Sequence, residues 1–173
     1  MQKILKDDEI AQLLVEKKPL PEDWEGKLEP RAKQNVAFSQ CELKVLGVSG
    51  KDFRVVIRQA AGNLEDFSII LMYRDIDGSE YRLSRFNGRH PSEHTNKVEK
   101  HEGKSGVSFR NVCHIHRATE RYQLAGLDID GFAEPTTVYN SFNGALRTFL
   151  DFYNFARPEA ALPLLDSLGG SQP

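Results

Sequence analysis

The chain has 173 residues, of which 39% are hydrophobic and 28% are charged, and its formal net charge is −2. This length fits one domain with its own hydrophobic core, and no apolar run approaches the roughly 20 residues that a membrane-spanning helix needs. The sequence therefore predicts a single globular domain at residues 1–168, a disordered tail at 169–173 and no membrane partner.

A helix near the N-terminus is the first predicted element, and residues 1–35 are interpreted as this helix followed by a connection that Trp24 holds against the body. Its apolar positions are Ile10, Leu13 and Leu14, and its candidate caps are Asp7 and Asp8. The early acidic residues leave no room for the apolar core of a signal peptide. Two cysteines far apart in the sequence indicate free thiols, so the expected location is the cytoplasm.

Residues 36–122 are predicted to form the sheet. Alternation of apolar and polar residues, typical of half-buried strands, runs through 41–45 and again through Phe53, Val55 and Ile57 with Arg54 and Arg58. Residues 67–73 are apolar on both faces and are interpreted as the central strand. An Asp-Ile-Asp-Gly turn at 75–78 leads into a fourth strand at 81–85, and a fifth strand is predicted through 107–115.

Helical patterns return in the C-terminal part of the chain. Residues 118–125 predict a short helix closed by Gly126, and a second Asp-Ile-Asp-Gly at 128–131 is interpreted as a turn rather than a calcium loop. An aromatic stripe predicts a helix at 140–156 that covers the sheet. The predicted fold is α+β, with about five mostly antiparallel strands flanked by N-terminal and C-terminal helices.

The segment 81–122 stands out by its charge. It contains all five histidines and nine Lys or Arg residues against four Glu residues, which gives it a formal charge of +5, whereas the rest of the chain carries −7. Charge of one sign concentrated in one segment indicates a binding partner rather than a fold. Within it, the polar loop 87–106 is unusually long for a compact domain, which favours a functional role.

Two of the histidines lie two residues apart on the predicted fifth strand. His114 and His116 should therefore share one face, which we expect to be the solvent-facing one, while Cys113 and Ile115 point to the core. On that expectation, replacing either histidine should cost little stability.

One hypothesis is acid–base cleavage of a phosphodiester. Imidazole exchanges a proton near neutral pH, and Arg or Lys can stabilise the charge on phosphorus, so this reaction needs no cofactor. The residues predicted to be catalytic are His114, His116, His94, His90, Arg117 and Glu120. The residues predicted to bind the ligand are Arg82, Arg85, Asn87, Arg89, Asn96, Lys97, Arg110, Arg121 and Tyr122.

Two alternatives remain open at this point. In one, His90, His94, His114 and His116 bind zinc, although nine basic residues and the lack of a nearby Asp or Cys oppose a cation. In the other, the basic surface is not catalytic and docks an acidic protein, as an inhibitor or antitoxin-like partner would. A phosphate-rich ligand, most simply RNA, is the predicted partner. The sequence carries no signal for an oligomeric state.

Three short motifs also carry a resemblance. They are Arg-Phe-Asn-Gly at 85–88, His-Thr-Asn at 94–96 and His-Ile-His-Arg-Ala-Thr-Glu-Arg-Tyr at 114–122. With these motifs the chain resembles a family of small uncharacterised bacterial proteins over roughly residues 67–155. The resemblance implies a bacterial or phage source, suggests an association with mobile elements and defence or toxin loci, and implies no activity or catalytic residue.

Overall fold

The computed structural model describes residues 3–30, 37–104 and 108–158. The predictions made for Val107, for the end of the domain at 159–168 and for the tail at 169–173 lie outside these residues. Within the described ranges, five helices form: α1 (Asp7–Val15), α2 (Trp24–Lys27), α3 (Lys97–His101), α4 (Glu120–Leu124) and α5 (Phe142–Phe152). None of these helices has the length and apolar character needed to cross a membrane.

The strands of the described residues form one large sheet and two small ones. The large sheet contains β2 (Phe38–Leu46), β3 (Asp52–Ala60), β4 (Asn63–Arg74), β5 (Glu80–Asn87), β8 (His114–Arg117) and β9 (Phe132–Pro135). The parallel pair is β1 (Lys18–Pro19) with β10 (Phe155–Ala156), and the small hairpin is β6 (Glu93–Thr95) with β7 (Ser108–Arg110).

The large sheet confirms the predicted fold class and corrects the strand number. Its order is β2-β3-β4-β5-β8-β9, and every neighbouring pair is antiparallel. It has six strands among the described residues rather than about five, because β9 adds to the edge beyond β8. The interior position of β4 fits its sequence, since Ile69, Ile70 and Leu71 are all buried.

The predicted fifth strand is interrupted. Asn111 has a φ of +55°, in the left-handed region that few residues other than glycine and asparagine adopt. The chain turns there, so β7 pairs with β6, whereas β8 pairs with β5. The prediction of one continuous strand through 107–115 is therefore wrong.

The helix α5 packs on the apolar face of the sheet. The ring of Phe149 meets that of Phe86 at 5.3 Å between centroids, and the side chain of Ser141 caps the helix by accepting a hydrogen bond from the backbone of Gly144 at 3.2 Å. The helix ends at Phe152, earlier than predicted. The chain then turns at Asn154, which has a φ of +54°, and enters β10.

The N-terminal part packs into the same core. Ile10 and Leu13 of α1 are buried, and so are Trp24 and Leu28, which confirms that Trp24 holds the connection against the body. The cap of α1 is Lys6 rather than an aspartate. Both cysteines are free thiols, as predicted.

A fully buried lysine joins the ends of two helices. The ammonium of Lys18 donates hydrogen bonds to the carbonyl oxygens of Leu13 at 2.9 Å, Leu14 at 3.1 Å and Glu16 at 2.8 Å, at the end of α1. The carbonyl oxygen of Tyr153, just after α5, lies 3.1 Å from the same nitrogen, so one of the three N–H groups is shared between two carbonyl oxygens. Helix ends leave carbonyl oxygens without intrahelical partners, and Lys18 supplies the donors for both ends.

The glycine of the Arg-Phe-Asn-Gly motif sits where β5 leaves the sheet, and we expect Gly88→Ala to destabilise the fold. Its N–H donates to the carbonyl of Phe67, and a Cβ would overlap the carbonyl oxygen of Glu65 and lie 2.6 Å from the ring of Phe67. Such overpacking typically costs about 1–3 kcal/mol. Gly26→Ala is the control, because a Cβ at this position of α2 meets nothing within 4 Å. Urea unfolding should show a loss for Gly88→Ala alone, and equal midpoints would contradict the close approach.

Candidate functional site

An irregularity in β5 places two arginines on the same face of the sheet. Leu71 pairs with Ser84, but its neighbour Met72 pairs with Arg82, so Leu83 is an extra residue in β5. In a regular strand, residues three apart point to opposite faces, and a bulge of one residue restores them to the same face. Arg82 and Arg85 therefore both point away from α5.

The two histidines of β8 lie beside this arginine strand. His116 is opposite Arg85 and His114 is opposite Asn87 in the antiparallel register. Their side chains are only 3% and 2% exposed, whereas Ile115 points to the core, as predicted. The assignment of faces was right, but the expected solvent exposure is wrong, because residues 88–104 and 108–112, the described parts of what we call the covering segment, fold over the histidines.

Aromatic contacts show how this segment covers them. The ring of His94 lies 4.7 Å from that of His116 and 5.9 Å from that of His114, measured between centroids. His114 and His116 are 5.1 Å apart, and His90 and Phe109 each lie 5.1 Å from His114. Four of the five histidines therefore form one cluster, and the fifth, His101, is exposed on α3.

Asn96 holds the segment on the sheet. Its side-chain oxygen accepts from the N–H of Ala133 and its amide nitrogen donates to the carbonyl of Ala133, both at 2.8 Å. These two bonds reproduce the pairing of a neighbouring strand on the backbone of β9. The same oxygen accepts from Nε2–H of His94 at 2.9 Å. Asn96 therefore anchors the covering segment to the sheet beside the site.

A second anchoring contact of the covering segment is formed by Glu99, a buried carboxylate of α3. The hydroxyl of Tyr122 donates to Glu99 at 2.7 Å, and Arg121 forms an ion pair with the same carboxylate. The guanidinium of Arg121 also lies 5.4 Å from the ring of Phe132. Arg121 and Tyr122 therefore join α4 to the covering segment.

Hydrogen bonding fixes the protonation of the two buried imidazoles. Nδ1–H of His114 donates to the carbonyl of Val112 at 2.8 Å, and Nδ1–H of His116 donates to the carbonyl of Asp130 at 2.9 Å. A carbonyl oxygen only accepts, so the proton of His114 is on Nδ1 and its Nε2 carries a lone pair. We assign His116 the same tautomer, because the carbonyl of Asp130 lies nearer to its Nδ1 than the guanidinium of Arg85, which is 3.1 Å away and can only donate. Both lone pairs accept from the amide nitrogen of Asn87, at 3.0 Å and 3.3 Å.

Burial keeps these imidazoles neutral. Loss of solvation lowers the pKa of His114 to about 4, and the same effect, together with the Arg85 guanidinium 3.1 Å from Nδ1, lowers the pKa of His116 to about 2. Burial also lowers the pKa of the half-buried His94. At neutral pH the buried imidazoles of His114 and His116 are therefore uncharged.

Asp130 is a buried carboxylate that sequence analysis treated as part of a turn. It is fully buried, and its oxygens lie 3.5 Å from Nε of Arg82 and 3.4 Å from a terminal nitrogen of Arg85. Neither oxygen has a hydrogen-bond partner among the described residues. Burial raises the pKa of Asp130, and the two guanidinium groups act in the opposite direction. The signal in the sequence was the second Asp-Ile-Asp-Gly, although its letters alone do not reveal burial.

A cleft of about 400 Å³ opens beside the cluster. It is lined by His94 and His116, by two basic and three acidic side chains and by turn and helix residues. In chain order, the lining residues are Arg85, Glu93, His94, Thr95, Lys97, His116, Tyr122, Leu127, Asp128, Asp130 and Gly131. The lining as a whole is thus not positively charged, although it lies in the most basic segment of the chain.

Several predicted site residues are not brought to the cluster. Arg117 follows His116 on β8 and therefore points to the opposite face. Glu120 begins α4, where its backbone N–H donates to Asp7. Arg89 forms an exposed ion pair with Glu65, and Arg110 is exposed on β7.

The four histidines predicted to bind zinc lie together, but Nε2 of three of them is engaged by a neighbouring asparagine side chain. In the described part of the chain, no three His, Cys, Asp or Glu side chains are already arranged to hold a metal ion. Nε2 of His114 and His116 meets the Asn87 amide, and Nε2 of His94 meets Asn96.

Comparison with known proteins identifies no family for this chain. Neither a protein-family model, nor a curated protein, nor a solved structure matches the chain. Function is therefore inferred from the site itself.

Proposed function

We propose that this protein binds RNA, or a similar phosphate-rich chain, across the outer surface of the segment 88–112 and the mouth of the cleft. The observation that carries this proposal is a group of three exposed basic side chains on that segment, Lys97, Lys100 and Arg110. None of the three has an ion pair with a described residue.

Most other basic side chains of the segment 81–122 are already neutralised. Arg82 and Arg85 lie against Asp130, Arg89 pairs with Glu65 and Arg121 pairs with Glu99. Lys104 similarly pairs with Glu102. The charge available to a partner is therefore concentrated on the covering segment.

The positions of the free charges suit a chain of phosphates. Lys97 lines the cleft, and Lys100 lies three residues further along α3, on the same side of the helix. A polyanion attracted to this surface reaches the cleft mouth, where the half-buried imidazole of His94 lies. The phosphate groups are held mainly by the outer surface, because the cleft lining contains more acids than bases.

Cleavage of the bound RNA by His114 and His116 stays a prediction, and the arrangement does not favour it. A general acid and base pair needs one protonated imidazole and a pKa near the working pH. Both histidines are neutral, and both nitrogens of each ring already have hydrogen-bond partners. The proposed function is therefore binding.

Binding should depend steeply on salt and on the three free charges. Each neutralised phosphate contributes about −0.7 to the slope of log affinity against log salt for single strands. Changing Lys97, Lys100 and Arg110 together to Gln should reduce that slope by about 2 and weaken binding at low salt. The measurement is fluorescence anisotropy of a labelled single-stranded RNA, with EDTA present.

The matched control changes Lys6, Lys17 and Lys44 to Gln. These lysines are exposed outside the segment, and the net charge changes by the same amount. The control should bind RNA like the wild type. Equal losses in both triple variants would show that only net charge matters. No affinity at low salt would remove RNA as a partner and leave docking to an acidic protein as the use of this surface.

A further inference from the structure

Three imidazoles lie at the mutual spacing expected for ligands of one metal ion. The centroids of His94, His114 and His116 are separated by 4.7, 5.1 and 5.9 Å. With Zn–N bonds of about 2.0–2.1 Å and tetrahedral angles, the centroids of two coordinated imidazoles lie about 5 Å apart. Ordinary packing of aromatic rings gives similar spacings, so the positions and protonation of the ring nitrogens must distinguish a metal site from simple packing.

The nitrogens of the two buried rings are prepared as metal ligands. Each Nδ1–H donates to a backbone carbonyl, which fixes the tautomer that leaves the lone pair on Nε2. Metal-bound histidines almost always have their second nitrogen held in this way. Both Nε2 atoms lie within 3.3 Å of one point, the amide nitrogen of Asn87. The lone pairs of His114 and His116 therefore converge.

The amide nitrogen of Asn87 lies between these two lone pairs, and this orientation leaves its buried side-chain oxygen without a hydrogen-bond partner among the described residues. An ion bound to the two Nε2 atoms would replace the amide hydrogens and let the amide turn its oxygen to the ion or to water. His94 completes the set through Nδ1, because its Nε2–H is held by Asn96.

The charge around the cluster accommodates a cation better than the sequence indicated. Sequence analysis placed nine basic residues in the segment of the histidines and no nearby Asp or Cys to compensate them. The structure instead pairs Arg121 with Glu99 and Arg89 with Glu65, both through side chains outside the cluster. It also adds the buried carboxylate of Asp130, which lies 3.5 Å from Arg82 and 3.4 Å from Arg85 and so offsets part of the charge of the two arginines nearest the cluster.

We propose that His94, His114 and His116 bind one divalent transition-metal ion of the zinc class, with the remaining coordination position open to the cleft. Three neutral nitrogen ligands and an open position are the arrangement of catalytic rather than structural zinc sites. Binding requires a rotation of the Asn87 amide away from the two Nε2 atoms and a small displacement of the His94 ring that keeps its Nε2–H on Asn96.

This site does not depend on the RNA-binding proposal, and the two are tested separately. RNA binding is measured in EDTA, so it reports the basic surface alone. Metal binding is measured without RNA, by titrating the full chain, first stripped with chelator, with zinc chloride or cobalt chloride in a calorimeter. The wild type should bind one equivalent of either ion. The cobalt form should show the visible absorption of a four-coordinate ion with nitrogen ligands.

His94→Ala is the decisive variant, because His94 is only half-buried and its loss should leave the fold intact. It should bind zinc at least about 100-fold more weakly than the wild type, since a ligand contributes more than the 10- to 100-fold of an outer hydrogen-bond partner. His101→Ala removes an exposed histidine outside the cluster and should bind like the wild type. In the wild type, zinc should also shift the nuclear magnetic resonance signals of Nε2 in His114 and His116.

Two results would overturn the site. One is the absence of saturable binding of either ion to the wild type. The other is undiminished affinity in folded His94→Ala, which would place any bound ion elsewhere. Circular dichroism of each variant establishes that it is folded before titration.

Discussion

Replacing Lys18 with methionine should lower the free energy of unfolding by at least about 2 kcal/mol, because its loss leaves buried carbonyl oxygens without a donor. Methionine has a similar length, so little volume is lost. Four carbonyl oxygens at the ends of α1 and α5, however, lose their buried donor. Each unsatisfied buried group costs about 1–3 kcal/mol, and no longer burying an ammonium offsets part of that sum. The measurement is urea unfolding at neutral pH.

The neighbouring residue supplies the control. Lys17→Met removes the same charge at an exposed position, and it should change stability by no more than about 0.5 kcal/mol. If both variants unfold at the same urea concentration, Lys18 does not hold the two helix ends. Since domains of this kind are stable by only about 5–15 kcal/mol, the loss in Lys18→Met should be a large fraction of the total free energy of unfolding.

Replacing His116 with alanine should lower the free energy of unfolding by about 2–4 kcal/mol, contrary to what the sequence alone predicts. The side chain is 3% exposed, so its removal leaves a cavity between β8 and the covering segment. It also deprives the carbonyl of Asp130 of its donor and leaves the Asn87 amide with one acceptor fewer. The measurement is urea unfolding with chelator present, so that no metal contributes.

His101→Ala is again the control, because this histidine is exposed on α3. It should stay within about 0.5 kcal/mol of the wild type. A His116→Ala protein as stable as His101→Ala would mean that the segment 88–112 does not cover β8 in solution. The cleft would then be absent, and the metal proposal would lose its third ligand.

The strands β2, β3 and β5 were predictable from an apolar face, and β4 from a run that is apolar on both faces. In β2, Leu43 and Val45 are buried while Glu42 and Lys44 are exposed, and a period of two follows directly from that difference. The helix α5 was predictable for the same reason, although its end was not. Asn154 turns the chain because β10 pairs with β1, and that contact spans most of the sequence.

The edge of the sheet and the site depend on such distant contacts. The strand β9 is only four residues long and contains a proline, so no alternation marks it. The burial of His114 and His116 requires the cover, and the cover is held by Asn96 on Ala133, 37 residues away. The break at Asn111 and the burial of Asp130 likewise arise only in the folded chain, whereas the grouping of four histidines followed from their proximity in sequence.

The two ends of the covering segment meet at one point of the sheet, and this affects which changes of sequence the fold can tolerate. Asn87 and His114 are direct partners on adjacent strands, so the chain leaves and re-enters the sheet at one point. A peptide of almost any length can bridge that point, because the entropic cost of a loop rises only slowly with its length. Insertions or a grafted recognition peptide in the exposed parts of this segment, away from Gly88, Asn96 and Glu99, should therefore leave the scaffold intact, so that ligand preference can be changed without changing the fold that supports it.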